Sequence, residues 1–192
     1  MPVNLKKGQK ISLTKGEPGL KNIIVGIGWE VPTFGIGPAL DLDASVFLLT
    51  AANKVSNSKD FIFYGNLVHP SNSVQHLNVK SVKGKDDKEK IKIDLSLVPS
   101  WVVKIAFTAT IYEGESKKQG FSQVKNAYIR ICNEQTNEEI VRYDLAEKLS
   151  NETAVLFGEV YKNNGEWKFN AMGVGSRGGL ASLCGLYGVE VG

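Results

Sequence analysis

Apolar and polar residues alternate with a period of two along much of this chain. Ile91, Ile93 and Leu95 interleave with Lys90, Lys92 and Asp94. That is the pattern of a strand with one wet face, because successive side chains leave a strand on opposite sides. Val103, Ile105, Phe107, Ala109 and Ile111 share one side of the next segment, and Ala106, Thr108 and Thr110 share the other. Both sides are largely apolar, so this strand is predicted to be central. Further strands are predicted at 23–27, 40–49, 61–64, 74–79, 127–132, 140–145, 155–162 and 167–174. Asn163-Asn164-Gly165 joins the last two as a hairpin, since Asn and Gly tolerate positive φ. Many short strands separated by turn residues predict an all-β fold, a two-sheet β-sandwich with a few short helices. One helix is expected over 115–124, weakened by Gly120. Another is expected at the C-terminus, where Leu180, Leu183, Cys184 and Tyr187 keep helical spacing behind Gly178-Gly179.

The chain has 192 residues, enough for one sizeable core, and is read as a single domain over 1–192. A net charge of +3 does not suggest a nucleic-acid binder. The one lysine-rich run, Lys80 to Lys92, lacks the interleaved aromatics that stack bases. Nothing in the first thirty residues resembles a signal peptide, and no stretch approaches the roughly 18 apolar residues of a membrane span. A cytoplasmic protein is expected. Cys132 and Cys184 lie far apart without CxxC spacing, so they are read as buried, reduced thiols.

Chemistry is concentrated in Leu40-Asp41-Leu42-Asp43-Ala44-Ser45-Val46-Phe47. In a strand, Asp41, Asp43, Ser45 and Phe47 share one face, which places two repelling carboxylates side by side. Burying them uncompensated would cost several kcal/mol or force protonation. A hard divalent ion, basic side chains, backbone N–H groups or open water would each satisfy them. Other motifs carry less. Gly26-Ile27-Gly28 lacks the third glycine and the helix of a dinucleotide loop. Gly173-Val174-Gly175-Ser176-Arg177-Gly178 fits such a loop by letter, and is read as a tight turn with close-packed backbone. His69 and His76 have no adjacent nucleophile, and His76 is read as a surface histidine beside the lysine-rich run.

Asp41-Leu42-Asp43-Ala44-Ser45 is similar to the DLDAS signature of the TerD family of tellurite-resistance and stress-response proteins. The likeness continues through Val25-Gly26-Ile27-Gly28-Trp29, Phe61-Ile62-Phe63-Tyr64, Lys92-Ile93-Asp94-Leu95 and Thr110-Ile111-Tyr112. It ends with Tyr143-Asp144-Leu145, Phe157-Gly158-Glu159-Val160-Tyr161 and the Gly178-Gly179-Leu180-Ala181 tail. These motifs run in family order over essentially the whole chain.

The resemblance implies a β-sandwich without catalytic activity, with calcium sites near one end. Their ligands would come from the DLDAS aspartates and from an acidic, glycine-rich loop before the KIDL strand. Here that loop departs from the family pattern. Asn78, Asp87 and Glu89 fall on acidic positions, Lys83, Lys85 and Lys88 replace usual acids, and a one-residue shift would bring in Asp86. The run from Lys80 to Lys92 carries six Lys against three acids, a charge that opposes cation entry. The expected metal ligands are therefore Asp41, Asp43, Asn78, Asp87 and Glu89. The outcome is either one weakened calcium site or lysine ammonium groups in place of the ion. The leading expectation is a non-catalytic binding or scaffold protein in a stress response, with a protein partner, no nucleic acid and no membrane span. The alternatives are a thiol-dependent metalloid-handling enzyme and a small-molecule or cyclic-nucleotide binder.

Overall fold

The computed structural model describes residues 1–32, 35, 37–78, 87–146 and 148–190. Twelve strands among them pair into two six-stranded sheets. In chain order these are β1 (Val3–Leu5), β2 (Lys10–Ser12), β3 (Asn22–Glu30), β4 (Leu42–Leu49), β5 (Phe61–Ile62) and β6 (Val74–His76). They continue with β7 (Glu89–Asp94), β8 (Lys104–Ile111), β9 (Lys125–Asn133), β10 (Glu139–Asp144), β11 (Ala154–Asn163) and β12 (Glu166–Ser176). One helix, α1 (Gly179–Tyr187), follows. The first sheet has the order β1-β10-β9-β3-β7-β6 and the second β2-β12-β11-β8-β4-β5. All-β sandwich architecture is thus what the chain adopts.

Alternation explains the packing. Leu42, Ala44, Val46 and Leu48 of β4 point inward with Ile105, Phe107, Ala109 and Ile111 of β8. They meet Ile23, Val25 and Ile27 of β3, Ile91 and Ile93 of β7, and Ile129 and Ile131 of β9 from the other sheet. Each such buried aliphatic or aromatic side chain contributes about 1.5–3 kcal/mol. β8 lies between β11 and β4, so its two apolar sides reflect burial on both. Its outer Ala106 joins Phe47, Leu49 and Leu156 beneath Leu183, Cys184 and Tyr187 of α1. The helix stops at Gly188, whose left-handed φ of 77° lets the Val189 N–H return to the Cys184 carbonyl at 2.8 Å. The predicted hairpin closes with Asn163 opposite Glu166, and Asn164 and Gly165 at φ 51° and 76°.

The expected helix over 115–124 is not formed. Glu113 and Lys118 adopt φ of 51° and 54°, which breaks helical continuity, and only a three-residue 3-10 turn, Phe121–Gln123, remains. Gly120 there backs onto the Ser150 carbonyl, with no space for a Cβ. The strand expected over 61–64 is only Phe61–Ile62. β1 and β2 are additions at the sheet edges. No helix among the described residues is long and apolar enough to cross a membrane.

Candidate functional site

The start of β4 opens one cleft, of about 340 Å³. Asp41 and Asp43 reach it from the second sheet, with the Asp41 carbonyl fixed by the Tyr112 N–H at 2.7 Å. His76 and Asn78 reach it from the end of β6, and Glu89 from the start of β7. Tyr64 and Tyr112 form exposed walls. Four of the five predicted ligands, Asp41, Asp43, Asn78 and Glu89, therefore line a single opening formed by both sheets. Asn78 sits at φ 50°, a backbone region Asn enters more readily than most residues.

His76 is buried rather than on the surface, only 4% exposed. The alternation Val74-Gln75-His76 carried that signal, because it puts His76 on the face of the buried Val74. Its Nδ1 accepts the Asn78 N–H at 3.0 Å. The hydrogen-bond network thereby assigns the ring proton of the neutral form to Nε2, which lies 3.2 Å from Glu89 Oε2. With both nitrogens engaged, His76 orients Glu89 and Asn78 instead of presenting a lone pair to a metal. Glu89 has the parity of the inward Ile91 and Ile93, which a reading of the strand pattern alone would also place on the inner face.

Asp87 goes elsewhere. Its carboxylate is 3% exposed and is gripped by Arg130, Nε to Oδ1 at 2.9 Å and Nη2 to Oδ2 at 2.9 Å. The Tyr128 hydroxyl donates to Oδ1 at 2.8 Å, and Arg130 Nη1 continues to Glu139 at 3.0 Å. A Cβ on residue 26 would overlap the Asp87 carboxyl, and one on residue 28 would overlap the Tyr128 ring. Gly26 and Gly28 thus serve this ion network and no nucleotide. Bonding to Asp87 outweighs burial and holds the Arg130 guanidinium firmly charged. Burial, reinforced by the Asp87 carboxylate, pushes the Tyr128 phenol well above its ordinary value. Asp86 and the rest of the lysine-rich segment over 79–86 lie outside the described residues.

Along the chain, the matching signals are continuous. Residues 1–187 fit the family model described as TerD domain. The chain belongs to the TerD family. It is 49% identical over 193 residues to General stress protein 16U of Bacillus subtilis (strain 168), covering all of both chains. It is 48% identical over 191 residues to Tellurium resistance protein TerD of Serratia marcescens, covering 99% of each. Among solved structures, a homologue of telluride resistance protein (TerD) from Streptomyces coelicolor superposes with a TM-score of 0.67. That match covers 86% of this chain and 95% of the other at 16% identity, a likeness of fold.

Several remaining features of this TerD chain are structural. Cys132 and Cys184 are both buried and free, and burial is the largest cause raising each thiol. A raised thiol has little nucleophilic thiolate at neutral pH. In the glycine-rich stretch over 173–178, Gly173 and Gly175 belong to β12 and pack against Tyr143 and Leu149. The first N–H groups of α1 are already taken: Gly178 donates to Glu115 at 2.6 Å and Gly179 to Thr153 at 2.9 Å. The Glu115 carboxylate thus already occupies this helix start, which disfavours a phosphate there.

Proposed function

We propose that this TerD chain is a non-catalytic, cation-linked binding protein of a stress response, its cation site being the cleft at the start of β4. The observation that carries this reading is the meeting of Asp41, Asp43, Asn78 and Glu89, from both sheets, around one opening. Their donors are oxygens only, the set a hard cation such as calcium prefers. No three acidic, His or Cys side chains among the described residues converge on a point close enough to hold an ion as they stand. A bound ion would therefore draw further ligands from water or backbone carbonyls and would pull the two sheet ends together. Such a site is weaker than a preformed cage. Its role is to set the shape of this sandwich end for recognition by a partner protein. The names of the relatives, resistance to tellurium and general stress, support the physiological setting.

Calorimetric titration with calcium, paired with thermal melts in calcium and in chelator, tests this reading. Binding to the folded state alone stabilises by about 2.7 kcal/mol at a hundredfold excess over Kd. The melting temperature should rise with calcium, and Asp41→Asn should weaken binding at least about tenfold, the loss of one charged ligand. No heat and no melting shift would remove calcium from the proposal.

A further inference from the structure

The outer face of the second sheet carries another recess, of about 360 Å³, which shares Asp43, Tyr64 and Tyr112 with the cleft above. Its floor includes Ser45 of β4 and Thr110 of β8. These residues are 1% and 4% exposed, and neither hydroxyl has a hydrogen-bond partner among the described residues. Their neighbour Thr108 instead donates to the Ser45 carbonyl at 3.1 Å. Neither hydroxyl oxygen is sealed off from the recess, so each is open to bond water or a donor that enters there.

The lining selects the class of that occupant. Asp43, Glu113 and Glu115 border the recess, and no Lys, Arg or His does. The α1 N-terminus, which would otherwise attract an anion, already holds the Glu115 carboxylate on the Gly178 N–H and the Thr153 hydroxyl on the Gly179 N–H. Three carboxylates, one of them paired with Lys117, disfavour an anion here. The rings of Tyr64 and Tyr112, 61% and 50% exposed, offer faces suited to an organic cation. The chain itself provides an example. Lys117 places its ammonium 5.1 Å from the Tyr112 ring centroid and 3.5 Å from Glu113.

We propose that this recess binds an aliphatic primary ammonium, either of a free diamine or polyamine or of a lysine side chain on another protein. An ammonium has three donors, which the Ser45 hydroxyl, the Thr110 hydroxyl and a wall carboxylate satisfy together. This inference stands apart from the calcium reading, because it is measured in chelator.

Four probes are titrated into the chelated full chain by calorimetry: 1,4-diaminobutane, spermidine, Nα-acetyl-lysine amide and the uncharged 1,4-butanediol. The amines are expected to bind at least about tenfold more tightly than the diol. Binding of the diamine or spermidine alone assigns the free polyamine, and binding of the lysine amide alone assigns the protein side chain. Thr110→Val and Ser45→Ala, small changes on well-ordered strands, should each weaken amine binding about fivefold or more, the worth of a hydrogen bond to a charge. Lys117→Gln, which removes the internal competitor, should tighten it. Diol binding equal to amine binding, absence of amine binding, or both hydroxyl variants titrating like the parent overturns the proposal.

Discussion

Asp87 and Glu89 stand two positions apart on the chain, yet their carboxylates are treated in opposite ways. Asp87 precedes β7 and folds back over Gly26, where Arg130 and Tyr128 satisfy it completely. Glu89 is the first residue of β7 and turns inward, where it meets His76 at 3.2 Å, a histidine that is charged only if protonated. The first arrangement closes the electrostatics inside the protein and has nothing left to offer a ligand. The second keeps negative charge at an opening and pairs it with a hydrogen-bond donor of modest strength. A carboxylate serves structure where a fixed cation meets it and serves binding where none does.

The largest test of this contrast is removal of one carboxylate from each region. Asp87→Ala strips Arg130 and the Tyr128 hydroxyl of their shared acceptor, although Arg130 keeps Glu139, and should cost about 2–3 kcal/mol in urea denaturation, without altering cation binding at the cleft. Glu89→Gln keeps an oxygen that can accept from His76, so it should cost under about 1 kcal/mol, and should weaken cation binding. If the two variants lost equal stability, the contrast would be wrong.

A buried acid–histidine pair gives a smaller effect with a defined pH sign. Asp60, 1% exposed, bonds His69 at 2.9 Å and accepts from Ser56 and Asn57. Burial alone would raise its pKa, but the bonds from Ser56, His69 and Asn57 together hold it below the ordinary value. A depressed carboxyl stabilises the fold above its unfolded-state pKa, and that contribution is lost as pH falls through the folded one. Stability should therefore drop in acid, and Asp60→Asn should cost about 2 kcal/mol at neutral pH, with the gap to the parent narrowing as pH falls. A gap constant with pH would contradict the assignment.

Glu159 has the opposite sign and the smallest effect. It is 7% exposed, and burial raises its pKa against the weaker pull of Lys104 and Lys10. Ionisation of a raised carboxyl penalises the fold, and the penalty sets in as pH rises past the unfolded-state value. Glu159→Gln should stabilise at neutral pH by up to about 1 kcal/mol, and the gain should vanish in acid. A thermal melt at two pH values decides it.

Much of the architecture was written in local pattern. The parity of β4 and β8 gave their inner and outer faces, because a strand repeats every two residues whatever packs on it. The turn at Asn164-Gly165 was legible because its backbone demands positive φ. β1 and β2 were not, since three residues carry no period. The failed helix over 115–124 shows the same limit, for close contact of Gly120 with Ser150 is a tertiary event.

For the site, sequence alone named the family and four of the residues that share the cleft, because acids in a strand signal a need for compensation. Only the three-dimensional structure decided which acid was already compensated, since Arg130 and Asp87 are 43 residues apart and no local period connects them. It likewise brought Ser45 and Thr110, from adjacent strands, into one recess beside Tyr64 and Tyr112. Local sequence dictates which way a side chain faces. Sheet pairing dictates what it meets there, and that meeting sets whether a charge is spent on the fold or left for a ligand.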